Sequence, residues 1–179
     1  MAESRARPAH PVADILYDTI YIAGLGGGIV ALFFFVYDVA VHGDVFFTPS
    51  LMGRVLFDGV PAQGVQGVSM EAVAKFTPLH MAAFTLFGLA LSWVTRQAEI
   101  RSRNPALVIA LVFVALEVGF WIATSLFIPG VLDRIGVLPV AAANLLSAVG
   151  IGLFLRSSHR RDLTDQVKQI AHPGRPRRA

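Results

Sequence analysis

Four stretches of this chain stay apolar for about the thickness of a bilayer core. They are residues 20–41 (IYIAGLGGGIVALFFFVYDVAV), 78–94 (PLHMAAFTLFGLALSWV), 105–128 (PALVIALVFVALEVGFWIATSLFI) and 137–155 (VLPVAAANLLSAVGIGLFL). A hydrocarbon core needs about 20 such residues per helix. In lipid the backbone must satisfy its own hydrogen bonds, so each block is expected to be helical. Only 15% of the 179 residues are charged and the mean hydropathy is +0.63, whereas ordinary soluble domains carry about 25% charged residues. The expected fold is therefore all-α: a polytopic integral membrane protein built as a four-transmembrane-helix bundle. Residues 1–179 are expected to form a single membrane domain, with an outer loop over 43–75 and a basic tail over 156–179. The first apolar block starts late and runs long, and no small-residue cleavage site comes after a short core, so it reads as a retained span rather than a signal peptide. Cysteine is absent, which excludes disulfides and thiolate sites.

Lysine and arginine orient the spans. Twelve of the 15 lie before span one, between spans two and three, or in the tail; Arg54, Lys75 and Arg134 face the other way. An even number of spans puts both termini on the basic side, so both are expected to be cytoplasmic and the protein to sit in the plasma (inner) membrane. The tail reads as a stop-transfer segment touching anionic lipid, with a brief helix over about 162–170. It has neither a folded reading surface nor aromatic platforms for nucleic acid.

The outer loop contains TPSLMGRVLF, in which Thr48 reads as a helix N-cap and Pro49 as the first helical residue. Leu51, Val55 and Leu56 fall near one face, with Phe57 beside them. This predicts a short outer amphipathic helix, lying on the bilayer or across the mouth of the bundle. DGVPAQGVQGVS reads as loop, and Ser69 offers a cap for MEAVAKF. The motif Phe-Thr-Pro recurs at 76–78, where Pro78 marks either the start of span two or a kink. Asn104-Pro105 is another cap-then-proline start. Short links predict that spans two and three, and spans three and four, are antiparallel neighbours.

Few side chains carry chemistry. Glu117 falls near the middle of span three, where an ionisable group costs at least ~2–3 kcal/mol and should face the interior. No lysine or arginine lies at that depth, so its expected partners are neutral: Asn144 first, with Ser147 and Thr124. Glu117 and Asn144 are the candidates for ligand or proton handling. Asp38 and His42 share a face near the outer end of span one, and His80 lies about one turn inside span two. Antiparallel packing would bring the three to one level, a donor set that suits a metal or haem iron or proton transfer. The structural alternative is that they are interface and packing residues. Gly24 and Gly28 form a small-xxx-small pair for close helix packing or dimer contact. GLGGG has no preceding strand and no following Lys-Ser/Thr, so it is not a nucleotide loop. Trp93, Trp121, Tyr17 and Tyr21 fit interfacial anchoring.

The succession of a glycine-rich first span, FTPSLMGRVLFDG and then HMAAFTLFG resembles small four-span bacterial membrane proteins. The likeness covers the first half of the chain, carries no motif of known activity and implies no mechanism. The expected function is a non-enzymatic scaffold or an accessory subunit of a membrane complex, with the bilayer, a larger complex or a second copy as partner and no cofactor. The alternative is a small ion, proton or ligand carrier, or a metal- or haem-binding redox module using Glu117 and the Asp38, His42, His80 set. A reporter fused to the C-terminus is expected to read as cytoplasmic; an external reading would overturn the orientation.

Overall fold

A computed structural model describes residues 11–97 and 104–171, with side chains over 15–95 and 104–157. Among the described residues six α-helices succeed one another: α1 (Pro11–His42), α2 (Phe47–Asp58), α3 (Met70–Gln97), α4 (Pro105–Phe127), α5 (Val131–Ile135) and α6 (Val137–Ala171), with a 3-10 turn at Ala62–Gly64. No strand occurs among the described residues. Among the described residues four helices are long and apolar enough to cross a membrane: Ile15–His42, Met70–Thr95, Pro105–Phe127 and Val137–Ser157. The basic segments at 1–10, 98–103 and 172–179, and the side chains of 158–171, lie outside the described residues.

Two boundaries differ from the sequence reading. Span two begins at Met70, not at Pro78, and runs through the proline without a break. The turn expected after the Ser69 cap thus runs on into span two, and its charged residues lie in the first turns of the helix. They are held at the helix surface, where the Lys75 ammonium lies 2.7 Å from Glu71 and 3.5 Å from Asp58. Within the helix, Thr77 donates its hydroxyl to the Val73 carbonyl one turn back at 2.8 Å. Span four likewise continues unbroken to Ala171, so the separate tail helix over 162–170 is instead the end of one 35-residue helix.

Helix starts follow local chemistry. The Asn104 side chain accepts from the Ala106 amide at 3.0 Å, and Pro105 opens α4. The Ser69 hydroxyl oxygen accepts from the Ala72 amide at 3.3 Å, next to the start of α3. At α2 the expectation fails. The helix begins at Phe47 with Phe46 in the capping position, so Thr48 lies inside the first turn and points its hydroxyl elsewhere. Its C-terminus ends on Gly59, left-handed at φ 65°, a conformation glycine adopts without steric cost.

The long helices stand in the order α3–α1–α6–α4: α1 packs against both α3 and α6, α6 against α4, and α2 lies on α3. The expected pairing of spans three and four is present. The expected pairing of spans two and three is not, because α3 and α4 make no extended backbone contact. Bulky side chains hold them apart. Phe84, Phe87 and Leu91 of α3 reach into a cluster formed by Ile22 of α1, Val108, Val112 and Leu116 of α4, and Ile151 of α6. A second cluster closes the end of the bundle that carries α2, where Phe34, Leu51, Val65, Ile128, Val131 and Val140 meet. The outer loop is thus part of the core. Ala62 and Val65 are buried, and the Arg134 guanidinium donates to the carbonyls of Gln63 and Val65. α2 lies against α3, with Leu51, Met52 and Val55 buried in that second cluster.

Close packing depends on glycines other than the expected pair. A methyl group placed on Gly24 or Gly28 would meet nothing within 4 Å. On Gly53 of α2 it would collide with the Ala72 carbonyl, and on Gly88 of α3 it would come 2.9 Å from the Thr19 carbonyl of α1. Gly53→Ala is expected to cost about 1–3 kcal/mol through overpacking, while Gly24→Ala gains up to about 1 kcal/mol from helix propensity. Thermal unfolding of the two variants in one detergent would read these opposite signs.

Candidate pocket between α3 and α4

The missing α3–α4 contact leaves a pocket of about 840 Å³ on that side of the molecule. Gly24, Gly27 and Gly28 of α1 form part of its wall, and the absence of side chains there deepens it. Phenylalanines supply much of the remainder: Phe34 and Phe35 from α1, Phe46 and Phe57 at the two ends of α2, Phe76, Phe84 and Phe87 from α3, and Phe120 and Phe127 from α4. Met52 and Leu56 of α2 bound one end. Among the described residues, no lysine, arginine, aspartate or glutamate lines it. A cavity of this size and character falls in the range of small-molecule sites.

Five polar side chains reach the wall: Thr48, Thr77, His80, Thr124 and Asn144. The ring of His80, on α3, is held by the Gly27 carbonyl of α1, 3.2 Å from its Nε2. A carbonyl only accepts, so in the neutral ring Nε2 carries the hydrogen and Nδ1 is left as an acceptor. Phe84 and Phe76 flank the ring at centroid distances of 4.9 and 5.9 Å. On the other flank of α1, the Ser147 hydroxyl of α6 donates to the Gly26 carbonyl at 3.2 Å. Both helix carbonyls thus accept a bond from a neighbouring helix, where the glycines let α3 and α6 come close.

Asn144, on α6, donates through Nδ2 to Oε1 of Glu117 on α4 at 2.8 Å. The glutamate therefore has a neutral partner, and the pair ties α4 to α6 in the middle of α4. Asn144 borders the pocket and Glu117 does not. Thr124 and Ser147, expected as further partners for Glu117, bond backbone carbonyls instead.

Asp38, His42 and His80 are not brought together. Because α3 starts at Met70, His80 lies ten residues in, about 15 Å down the axis. Its partner Gly27 precedes Asp38 by eleven residues, about 16 Å at 1.5 Å per residue. Among the described residues no group of three histidine, aspartate or glutamate side chains is placed to hold a metal ion. Asp38 is buried and caps α2 from α1: Oδ2 accepts the Thr48 amide and Oδ1 the Thr48 hydroxyl, both at 2.7 Å. Neither Arg54 nor Lys75 reaches it; Arg54 donates to the Gln66 carbonyl at 2.9 Å. His42 stacks on Phe47 at a centroid distance of 3.8 Å, and its Nε2 is buried without a partner among the described residues.

Two features were not anticipated from the sequence. One is the pocket itself, whose signal is the density of phenylalanine on four different segments. The other is a buried polar layer at the opposite end of α1, where Asp18, Thr19, Ser92 and Thr95 are all inaccessible and the hydroxyls of Thr19 and Ser92 are 3.5 Å apart. Comparison of the chain with protein-family models, curated sequences and solved structures gives no match.

Asp38→Ala leaves the buried Thr48 amide and hydroxyl without an acceptor and is expected to cost about 2–3 kcal/mol. Limited proteolysis should then cut within 43–69 before any other described segment. A variant as resistant as the wild type would show that this carboxylate does not hold α2 in place.

Proposed function

We propose that this is a non-enzymatic, multi-pass protein of the plasma (inner) membrane that holds an uncharged apolar guest, taken from the bilayer, in the pocket between α3 and α4. The observation that carries the reading is the pocket: about 840 Å³, walled by phenylalanine and free of charged side chains among the described residues. Membrane insertion is supported by the apolar residues that the four long helices turn outward, such as Leu32, Val36, Leu86, Ile122, Leu126 and Leu138, each more than half exposed. Such a surface is costly in water and suited to lipid. The distribution of lysine and arginine supports cytoplasmic termini, with the basic tail against anionic headgroups.

A guest in this position is bound or carried rather than transformed. The wall offers one imidazole, three hydroxyls and one amide, with no carboxylate or ammonium beside them among the described residues. A nucleophile with its base and orienting group, the usual arrangement for covalent chemistry, is not assembled from these side chains. Glu117 acts as a polar tie between α4 and α6, with Asn144 as the link from that tie to the pocket.

The same missing helix contact supports a second reading, in which the chain is an accessory subunit. A helix from a larger complex, or from a second copy, would then seat between α3 and α4. Mild-detergent purification, with mass spectrometry of all that comes with the protein, separates the two. Gly28→Phe places a ring in open space on the pocket wall and serves as the control. A small apolar molecule present with the wild type and lost in Gly28→Phe supports the first reading. A stoichiometric protein lost in the same variant supports the second. Identical composition of wild type and variant would sink both.

A further inference from the structure

We infer that the guest carries a hydroxyl group, and that His80 Nδ1 receives its hydrogen. The inference rests on the pocket reading of the proposed function and adds the chemical class of the ligand: an uncharged, lipid-soluble alcohol or phenol.

A polar group on a pocket wall can offer a ligand only the hydrogens and lone pairs that the protein has not already engaged. Thr48 donates its hydroxyl hydrogen to Asp38 Oδ1 at 2.7 Å. Thr77 donates to the Val73 carbonyl at 2.8 Å, and Thr124 to the Phe120 carbonyl at 2.9 Å. The Nε2 hydrogen of His80 goes to the Gly27 carbonyl, and one of the two amide hydrogens of Asn144 goes to Glu117. What remains on the wall is lone pairs, with a single free amide hydrogen on Asn144. The pocket is therefore rich in acceptors and poor in donors. A ligand whose polar group only accepts, such as an ester, ether or ketone, finds almost nothing to pair with.

His80 Nδ1 is the strongest of these acceptors. It has no hydrogen-bond partner among the described residues, and it is not among the polar atoms sealed from contact. His80 lines the pocket, its ring between Phe76 and Phe84. The hydroxyl oxygens of Thr77 and Thr124 retain lone pairs, but each is turned toward its own helix backbone. Charge narrows the class further. With no cation on the wall among the described residues, a carboxylate or phosphate would be buried unpaired, which is strongly unfavourable. Fatty acids and phospholipid headgroups are thereby disfavoured inside the pocket.

The test uses the full chain in mild detergent, tritiated 1-hexadecanol as the probe, and a scintillation-proximity readout. Unlabelled 1-hexadecanol, 1-methoxyhexadecane and hexadecanoic acid compete. The methyl ether keeps the chain and the oxygen and lacks only the donor. It is expected to compete roughly three- to tenfold more weakly than the alcohol, the worth of one buried hydrogen bond, and the acid at least as weakly at neutral pH. In His80→Leu the alcohol and the ether should compete equally, and retained binding of the ether reports that the pocket is folded. Equal competition by alcohol and ether in the wild type would overturn the hydroxyl inference while leaving the pocket reading intact. A preference that survives in His80→Leu would overturn the assignment to His80. Failure to find saturable binding that Gly28→Phe removes would overturn the pocket reading and this inference together.

Discussion

A helix without side chains at Gly26 and Gly27 can be approached from two directions, and the arrangement of the other long helices follows from that. A methyl group on Gly26 would lie 2.9 Å from Ile151 of α6 and 3.2 Å from Phe84 of α3. The two glycine carbonyls, exposed by the same lack of bulk, take bonds from Ser147 and His80. These are second bonds to groups already inside a helix ladder, so they orient the neighbours without breaking α1. With both flanks of α1 occupied, the extended helix contact of α4 is with α6. The Glu117–Asn144 bond and the contact of Gly152 with Ile109 hold it there.

The end of the bundle that carries α2 is organised by one carboxylate. Asp38 ends no helix of its own; it supplies to α2 the cap that α2 lacks within its own sequence. The N-terminus of a helix is an electropositive site with unpaired amides, so a buried acceptor from another element both pairs it and fixes where it sits. Gly53 then admits the Ala72 backbone, and α2 settles on α3. From there the chain runs through Ala62 and Val65, whose side chains enter the cluster around Leu51 and Val131. This is why an apparently irregular loop with three glycines and a proline packs as core.

The pocket is what these two constraints leave over. α1 is open at Gly24 and Gly28, α2 bounds one end, and phenylalanines on α3 and α4 keep the backbones apart. The pocket's polar groups are there for the scaffold first, each already bonded to the protein. Their remaining lone pairs are a by-product of that bonding and also the basis of selectivity for a donor.

The four long apolar helices, the cap-then-proline start at Asn104-Pro105 and the cap at Ser69 were legible in the residues alone. So was the need of Glu117 for a neutral partner, with Asn144 the first choice. All of these are local or follow from depth in an apolar medium. Which helices touch, which glycines matter and where His80 sits were set by packing in three dimensions. A span that is apolar all round has no polar face to mark its neighbours, so helix order could not be read from pattern, and Gly24 and Gly28 looked as suitable for packing as Gly26 and Gly27. His80 was placed too near the outer surface because Pro78 reads as the start of span two or a kink. In the folded chain the helix runs through the proline, carrying His80 from the level of Asp38 to the level of Gly27.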